Sequence, residues 1–265
     1  MSAKRVRLDT AMVRRGLAPS RTQAQALIES GAVTVGGAPA LKPATLVAGD
    51  EAVDVKTARR WASRGGDKLE GALADLSVEV EGRDALDAGA STGGFTDVLL
   101  AHGANRVIAV DVGYGQIDWR LRTDERVEVM ERTNVRRLEP GDLPPPPPTL
   151  VVADLSFISL VLVLPALVRV ADPAADHVLL VKPQFEAGRD EVGKSGVVRD
   201  PSIWRATLLR VTDAAEDLGL GLVDATISPL KGPAGNTEFF VHLAAGGGAH
   251  REHVIDAVVS LASGA

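Results

Sequence analysis

At 265 residues, 45% of them apolar and 24% charged, the chain is long enough for one large domain or for a small one beside a larger one, with a proper core. It contains no cysteine, which excludes disulfides, thiolate metal sites and cysteine nucleophiles, and its five histidines are scattered, so no metal centre is expected. The start has no apolar signal core, and the longest apolar run, residues 158–164 with Ser159 inside it, is far too short to span a membrane, which points to a cytoplasmic protein. The net charge of −6 hides an asymmetry: residues 1–68 carry twelve Lys/Arg against six Asp/Glu, and the remainder carries seventeen against twenty-nine. A basic head on an acidic body suits contact with a polyanion, the alternative being a solvated helix face.

In the head, residues 8–15 read as a short helix with Leu8 and Met12 one turn apart and Gly16 ending it. Ser20, with Gln23 three residues on, caps a second helix whose apolar stripe is Ala24, Leu27 and Ile28, and Gly31 stops it. Val33 and Val35 alternate as a strand, Gly36-Gly37 turns, and Val53 and Val55 form a later strand after Gly49-Asp50. Arg14, Arg15 and Arg21 cluster near the helix junction, where they would track a phosphate backbone by shape and charge, and with Arg5 and Arg7 they are candidate RNA contacts.

Beyond residue 80, strands and helices alternate, the pattern of a Rossmann-like parallel sheet covered on both faces. Strands are expected at residues 84–87, 107–111, 127–130, 150–154, 177–182, 221–227 and 238–243, the last two as an antiparallel pair at the sheet edge. The proline run 144–148 reads as an exposed, stiff connection. The run Asp87-Ala-Gly-Ala-Ser-Thr-Gly-Gly-Phe95 joins a strand to a helix through small residues, including Gly89, Ser91, Gly93 and Gly94, that let a ligand approach the backbone. The helix behind is expected to direct its free N–H groups at that ligand. Asp111 ends the next strand, where a ribose-binding carboxylate sits in nucleotide-type folds. A dinucleotide fingerprint has glycines in another order, and Asp87 would repel a pyrophosphate but attract a sulfonium or ammonium, which favours S-adenosylmethionine over NAD. No Gly-Lys-Ser/Thr follows, so a phosphate-binding loop is excluded.

Asp154 and Lys182 end consecutive apolar strands and therefore share the rim of Asp87 and Asp111. A structural salt bridge between them is the simpler alternative to a catalytic pair. Arg64 precedes Gly65-Gly66, a flexible pair after which a helix carrying Lys68 begins, and Glu238 opens the last strand.

The order Arg7-Leu8-Asp9, Val13-x-x-Gly16-Leu17-Ala18-x-Ser20-Arg21, Gly31-x-Val33-x-Val35-x-Gly37 and Gly49-Asp50 resembles the S4 RNA-binding domain. Lys68, Asp154, Lys182 and Glu238 in turn resemble the Lys-Asp-Lys-Glu tetrad of FtsJ-type RNA 2′-O-ribose methyltransferases. With motifs such as Asp111-Val-Gly-Tyr-Gly-Gln116, Glu131-Arg-Thr-Asn134, Asp154-Leu-Ser-Phe-Ile-Ser159 and Lys182-Pro-Gln-Phe-Glu186, the chain resembles the TlyA family of S4-fused ribosomal RNA methyltransferases, historically labelled hemolysins. The resemblance implies four segments: an S4-like domain at 1–58, a linker at 59–63, a seven-stranded class I methyltransferase domain at 64–245 and a terminal extension, expected helical, at 246–265. It implies Lys182 as the group that handles the ribose proton, aided by Asp154 and Lys68, with Glu238 holding Lys68 or the ribose. It also implies cofactor contacts at Asp87, Gly89, Asp111, Asn134 and Phe157, the last of which reads equally as core, with Ser91, Gly93, Gly94, Phe95 and Asp154 beside them. Arg64 joins the RNA contacts. Ribosomal RNA and subunits are the implied partners, and the chain is expected to be a monomer. Arg59 and Trp61 match the family's linker, where Ala62 replaces a larger valine. The residues flanking both ends resemble the longer family form, which acts on a cytidine in each subunit's RNA. A non-catalytic ribosome-binding factor, a pseudouridine synthase and a pore-forming hemolysin are the rival readings.

Overall fold

The computed structural model describes residues 5–55, 60–188, 191–193, 196–248 and 250–264. The chain forms two compact units, Met1–Arg60 and Trp61–Ala265. Arg59 of the expected linker lies outside the described residues, whereas Trp61 and Ala62 belong to the second unit, with Trp61 buried.

The first unit runs β1 (Val6–Arg7), α1 (Leu8–Arg14), α2 (Arg21–Glu29), β2 (Val33–Val35), β3 (Ala38–Pro39), β4 (Leu46–Val47) and β5 (Val53–Val55). The hydroxyl of Ser20 caps α2 by accepting from the Gln23 N–H at 3.2 Å. Strands β3, β2 and β5 form one small antiparallel sheet, and β1 pairs with β4. Leu8, Met12, Ala24, Ile28, Val33 and Val47 make its core. One carboxylate lies inside that core. Asp9 is fully buried, and its oxygens accept from Arg7 (3.1 and 2.9 Å), Arg21 (2.9 Å), Gln25 (3.0 Å) and the Thr10 N–H (2.7 Å).

The second unit follows as α3 (Arg64–Asp75), β6 (Asp84–Ala88), α4 (Gly94–Ala101), β7 (Arg106–Val110), α5 (Trp119–Arg122), β8 (Val127–Met130), β9 (Leu150–Ala153), α6 (Leu164–Val170), β10 (Asp176–Val181), α7 (Pro183–Glu186), α8 (Pro201–Glu216), β11 (Leu220–Ile227), β12 (Phe239–Ala245) and α9 (Arg251–Ser263). Seven strands form one sheet in the order β11-β12-β10-β9-β6-β7-β8. Strands β6 to β10 pair in parallel, and β12 runs antiparallel to both β10 and β11, so β11 alone of that pair is the edge. Alternate residues face opposite cores: Ile108, Val151 and Phe239 pack with α6, α8 and α9, while Val107, Val152 and Phe240 pack with α3, α4 and α5. Neighbouring Phe239 and Phe240 thus meet Trp204 (5.8 Å between rings) and Phe95 (6.0 Å) on opposite faces.

Two local expectations change. Helix α3 starts at Arg64, capped by Ser63, so Gly65 and Gly66 lie within it; a Cβ on Gly66 would stand 2.4 Å from Trp61. Packing, not flexibility, accounts for that glycine. The second expectation changes only in part: Pro145, Pro146 and Pro147 are exposed as expected, while the Arg106 guanidinium donates to the carbonyls of Pro144, Pro145 and Pro146, and Pro148 is buried.

The guanidinium of Arg7 beside Asp9 holds that carboxyl well below the usual range. A depressed native pKa contributes stability that is present above about pH 4 and lost as the pH falls below it. Hydrogen exchange on the full chain is therefore expected to show α1 and α2 loosening in wild type between pH 5 and the acid limit. Asp9→Asn is expected to exchange faster at pH 7 and to lose most of that acid dependence.

Candidate active site

The chain passes from β6 out to β7 and β8, then returns to β9 on the other side of β6, so a crevice opens at the carboxyl ends of β6 and β9. A cavity of about 480 Å³ lies there, with Gly89, Ser91, Asp111, Asn134, Asp154 and Phe157 in its wall. Gly89 has φ +89°, and a Cβ there would stand 2.7 Å from the Asp154 carbonyl oxygen, so this is where the backbone needs glycine. Asp111 is half-buried and accepts from the Ser91 N–H (2.9 Å) and the Gly113 N–H (2.6 Å), which fixes its carboxylate at the mouth.

The other loop residues serve the scaffold. Asp87 is completely buried and outside the cavity wall; its Oδ2 accepts from the Thr96 N–H (2.9 Å) and hydroxyl (2.6 Å), so it caps α4 from beneath. Burial pushes its carboxyl up to about 7 against the pull of those two donors. The α4 amide expected to face a ligand is thus occupied at Thr96. Gly93 and Gly94 are buried where a Cβ would meet Leu121 at 2.3 Å and Ser63 Oγ at 2.2 Å, and Phe95 is core. Phe157, by contrast, is not core: it is 91% exposed, has φ +63°, and tilts against Phe185 with rings 5.1 Å apart.

There are two lysine–carboxylate pairs, the first beside the cavity with Asp154 half-buried and the second buried throughout. Lys182 Nζ lies 2.5 Å from Asp154 Oδ1 and donates to Ser156 Oγ at 2.9 Å. Lys68 Nζ donates to Glu238 Oε2 at 2.6 Å. Their proximity follows from register, because Val181 of β10 faces Phe239 of β12 and so brings Lys182 opposite Glu238. The Gln184 amide leans toward Glu238 Oε1 at 3.4 Å. The exposures of Lys68 (8%), Lys182 (7%) and Glu238 (1%) mean that each charge has been taken out of water and requires its partner. Ser156 and Gln184 lay within quoted motifs but carried no chemical signal of their own.

In the first unit, Arg14 and Arg5 are exposed and make no ion pair among the described residues. Arg15 donates to the carbonyls of Ala48, Gly49 and Glu51, which makes it a tie between turns, and Arg7 and Arg21 are held on Asp9 with their side chains still 45% and 58% exposed. Arg64 is exposed at the start of α3. Among the described residues no cluster suited to a metal ion occurs.

The FtsJ-like methyltransferase family model matches residues 61–245, and the S4 domain model matches residues 6–53. The 16S/23S rRNA (cytidine-2′-O)-methyltransferase TlyA of Mycobacterium tuberculosis is 54% identical over 243 residues, covering 91% of this chain and 90% of that protein. This chain belongs to the TlyA family. Hemolysin A of Brachyspira hyodysenteriae is 38% identical across 89% of the chain and 99% of its own length. A solved structure from Streptococcus thermophilus, described as a candidate hemolysin, matches with TM-score 0.72 and 39% identity over 97% of this chain and 96% of its own. Among the described residues of this TlyA-family chain, no helix is long and apolar enough to cross a membrane. The family implies use of S-adenosylmethionine.

The cavity suits that cofactor by chemistry: Asp111 presents a carboxylate able to accept from hydroxyls, and at Gly89 no Cβ crowds the backbone beside Asp154. Gly89→Ala is expected to weaken S-adenosylhomocysteine binding more than about tenfold, a loss of about 1.4 kcal/mol, in isothermal titration. Unchanged affinity would mean that the ligand does not approach this turn.

Proposed function

We propose that the chain transfers a methyl group from S-adenosylmethionine to the 2′-hydroxyl of a cytidine in ribosomal RNA, in both 16S and 23S RNA. The observation that carries the reading is Lys182, buried, oriented by Asp154 and Ser156, and adjacent to the cavity they line. The bound cofactor supplies an electrophilic methyl group on a sulfonium sulfur. A ribose hydroxyl is a weak acid, so its attack requires a neighbour for the departing proton.

Lys182 suits that task by geometry. Its nitrogen has three substituent directions besides the stem, and two are taken by Asp154 and Ser156, leaving one for the ribose oxygen. For this role Lys182 would enter as the neutral amine, its two N–H groups given to Asp154 and Ser156 and its lone pair directed at the ribose oxygen; the hydroxyl proton would then pass to Nζ, and the Asp154 carboxylate would balance the ammonium so formed. Lys68, kept in place by Glu238, is a second fixed cation for orienting the ribose. Most of the remaining acceleration comes from holding the hydroxyl in line with the methyl group. Asn134 would lie toward the adenine and Phe157 toward the methionine end, both in the cavity wall.

RNA binding is assigned to the S4 unit, with Arg14 and Arg5 as exposed charges and Arg7 and Arg21 as a pair that shares Asp9. The match of the M. tuberculosis enzyme over nine-tenths of both chains supports action on both subunits. The family's hemolysin names do not extend to a membrane mechanism, because the buried charges beside the cavity serve chemistry and the described helices offer no span. A cytoplasmic site of action, where ribosomes are, follows from this substrate.

Mapping ribose methylation in ribosomal RNA from cells with and without the gene tests the proposal. One 2′-O-methylcytidine in each subunit's RNA is expected to vanish and to return on complementation. Loss in the large subunit alone would narrow the substrate; no difference in either would refute the enzyme reading.

A further inference from the structure

The segment between β9 and the 3-10 turn Leu160–Leu162, residues 154–159, forms one wall of the cavity and carries Asp154 at one end. It has no regular structure, and at Phe157 it takes a left-handed conformation that a bulky residue rarely adopts. Something else must therefore hold its shape. The grip comes from the short stretch Lys182–Glu186, which meets the strap at three successive points. Lys182 holds Asp154 and Ser156, the Phe185 ring lies against Phe157, and Glu186 closes the far end.

Glu186 is 6% exposed, and both its oxygens accept from the strap: Oε2 from the Ser159 hydroxyl at 2.5 Å, Oε1 from the Leu160 N–H at 2.7 Å. Ser159 in turn caps the 3-10 turn by accepting from the Val161 N–H at 3.2 Å. The main-chain oxygen of Glu186 accepts from the Arg210 guanidinium of α8, which ties the grip to the sheet's helical cover. A buried carboxylate aimed at a loop, with no role in proton transfer, is costly unless its acceptors are needed. Burial pushes its carboxyl up, and the two strap donors oppose this.

We infer that Glu186 is a positioning residue that sets the strap's far end, and thereby the wall of the cofactor cavity, while Lys182 acts on the near end. The inference rests on the cofactor reading of this cavity. Its distinguishing consequence is a separation of effects. Losing Glu186 releases the cavity wall but leaves the Lys182–Asp154 contact, so cofactor affinity falls while the chemical step at saturation persists.

The test uses the full chain, with S-adenosylhomocysteine titrated calorimetrically and KM for S-adenosylmethionine and kcat measured on unmethylated ribosomal subunits. Glu186→Ala is expected to raise both Kd and KM about tenfold with kcat within about threefold of wild type. Glu186→Gln is expected to stay within about threefold on every constant, because its carbonyl still accepts from Leu160 and its amide donates to the Ser159 oxygen. Ser159→Ala, which keeps the carboxyl in place and remains informative if Glu186→Ala fails to fold, is expected to raise Kd by about threefold to fivefold. The inference is overturned by wild-type affinity in Glu186→Ala or Ser159→Ala, by a kcat that falls as far as affinity, or by Glu186→Gln behaving as Glu186→Ala. If the wild-type chain itself fails to bind S-adenosylhomocysteine, the cofactor reading is what fails.

Discussion

A lysine ammonium with 7% exposure, held 2.5 Å from a carboxylate at the ends of two neighbouring parallel strands, constrains the rest of the methyltransferase unit. The buried ammonium does not tolerate that position without its partner, whereas Asp154 is half-buried in the cavity wall. The pair fixes β9 against β10 at the end where the cavity opens, and it determines where the strap after β9 must start. The second pair, Lys68–Glu238, adds the same requirement across the α3 and β12 ends. A sheet that carries four ionic groups at one rim is more than stability requires, since apolar residues of similar volume would hold the strands as well. The arrangement makes sense where the charges face a reacting hydroxyl.

Much of this was legible in the residue order. Apolar runs of four to six residues alternating with helical stretches indicated a sheet covered on both faces, and the acid or lysine ending each run placed Asp111, Asp154 and Lys182 on a common rim. The S4 unit was readable because its turns need Gly16, Gly31 and Gly37 at positive φ, a backbone demand that leaves a direct trace in sequence. The glycine loop was less transparent. Gly89, Gly93 and Gly94 look alike in one dimension, yet the first makes room beside Asp154 and the other two make room for Leu121 and Ser63. Spacing records that a Cβ is absent, not what occupies the space. Asp87 is a related case: a carboxylate at a strand end serves a ligand or a helix equally well by pattern, and here one of its oxygens is taken up by α4.

The arginines follow the same rule in the smaller unit. Seen as charges, Arg7, Arg14, Arg15 and Arg21 are equivalent. Seen with their acceptors, Arg15 is spent on three carbonyls, Arg7 and Arg21 are oriented by one buried carboxylate, and Arg14 has no ion pair among the described residues. Asp9 and Glu186 therefore play parallel parts in the two units. Each is a buried carboxylate whose oxygens hold neighbouring groups in place, and each required side-chain geometry to be noticed.

The proposed mechanism turns on Lys182 as the group that performs the proton step. Single-turnover transfer from tritiated S-adenosylmethionine to unmethylated subunits, compared between wild type and Lys182→Ala with cofactor affinity measured on the same preparations, tests it most directly. At saturating cofactor the rate is expected to fall by at least about 10²-fold, beyond the loss of affinity that freeing Asp154 and Ser156 brings. Transfer by Lys182→Ala at the wild-type rate would contradict it.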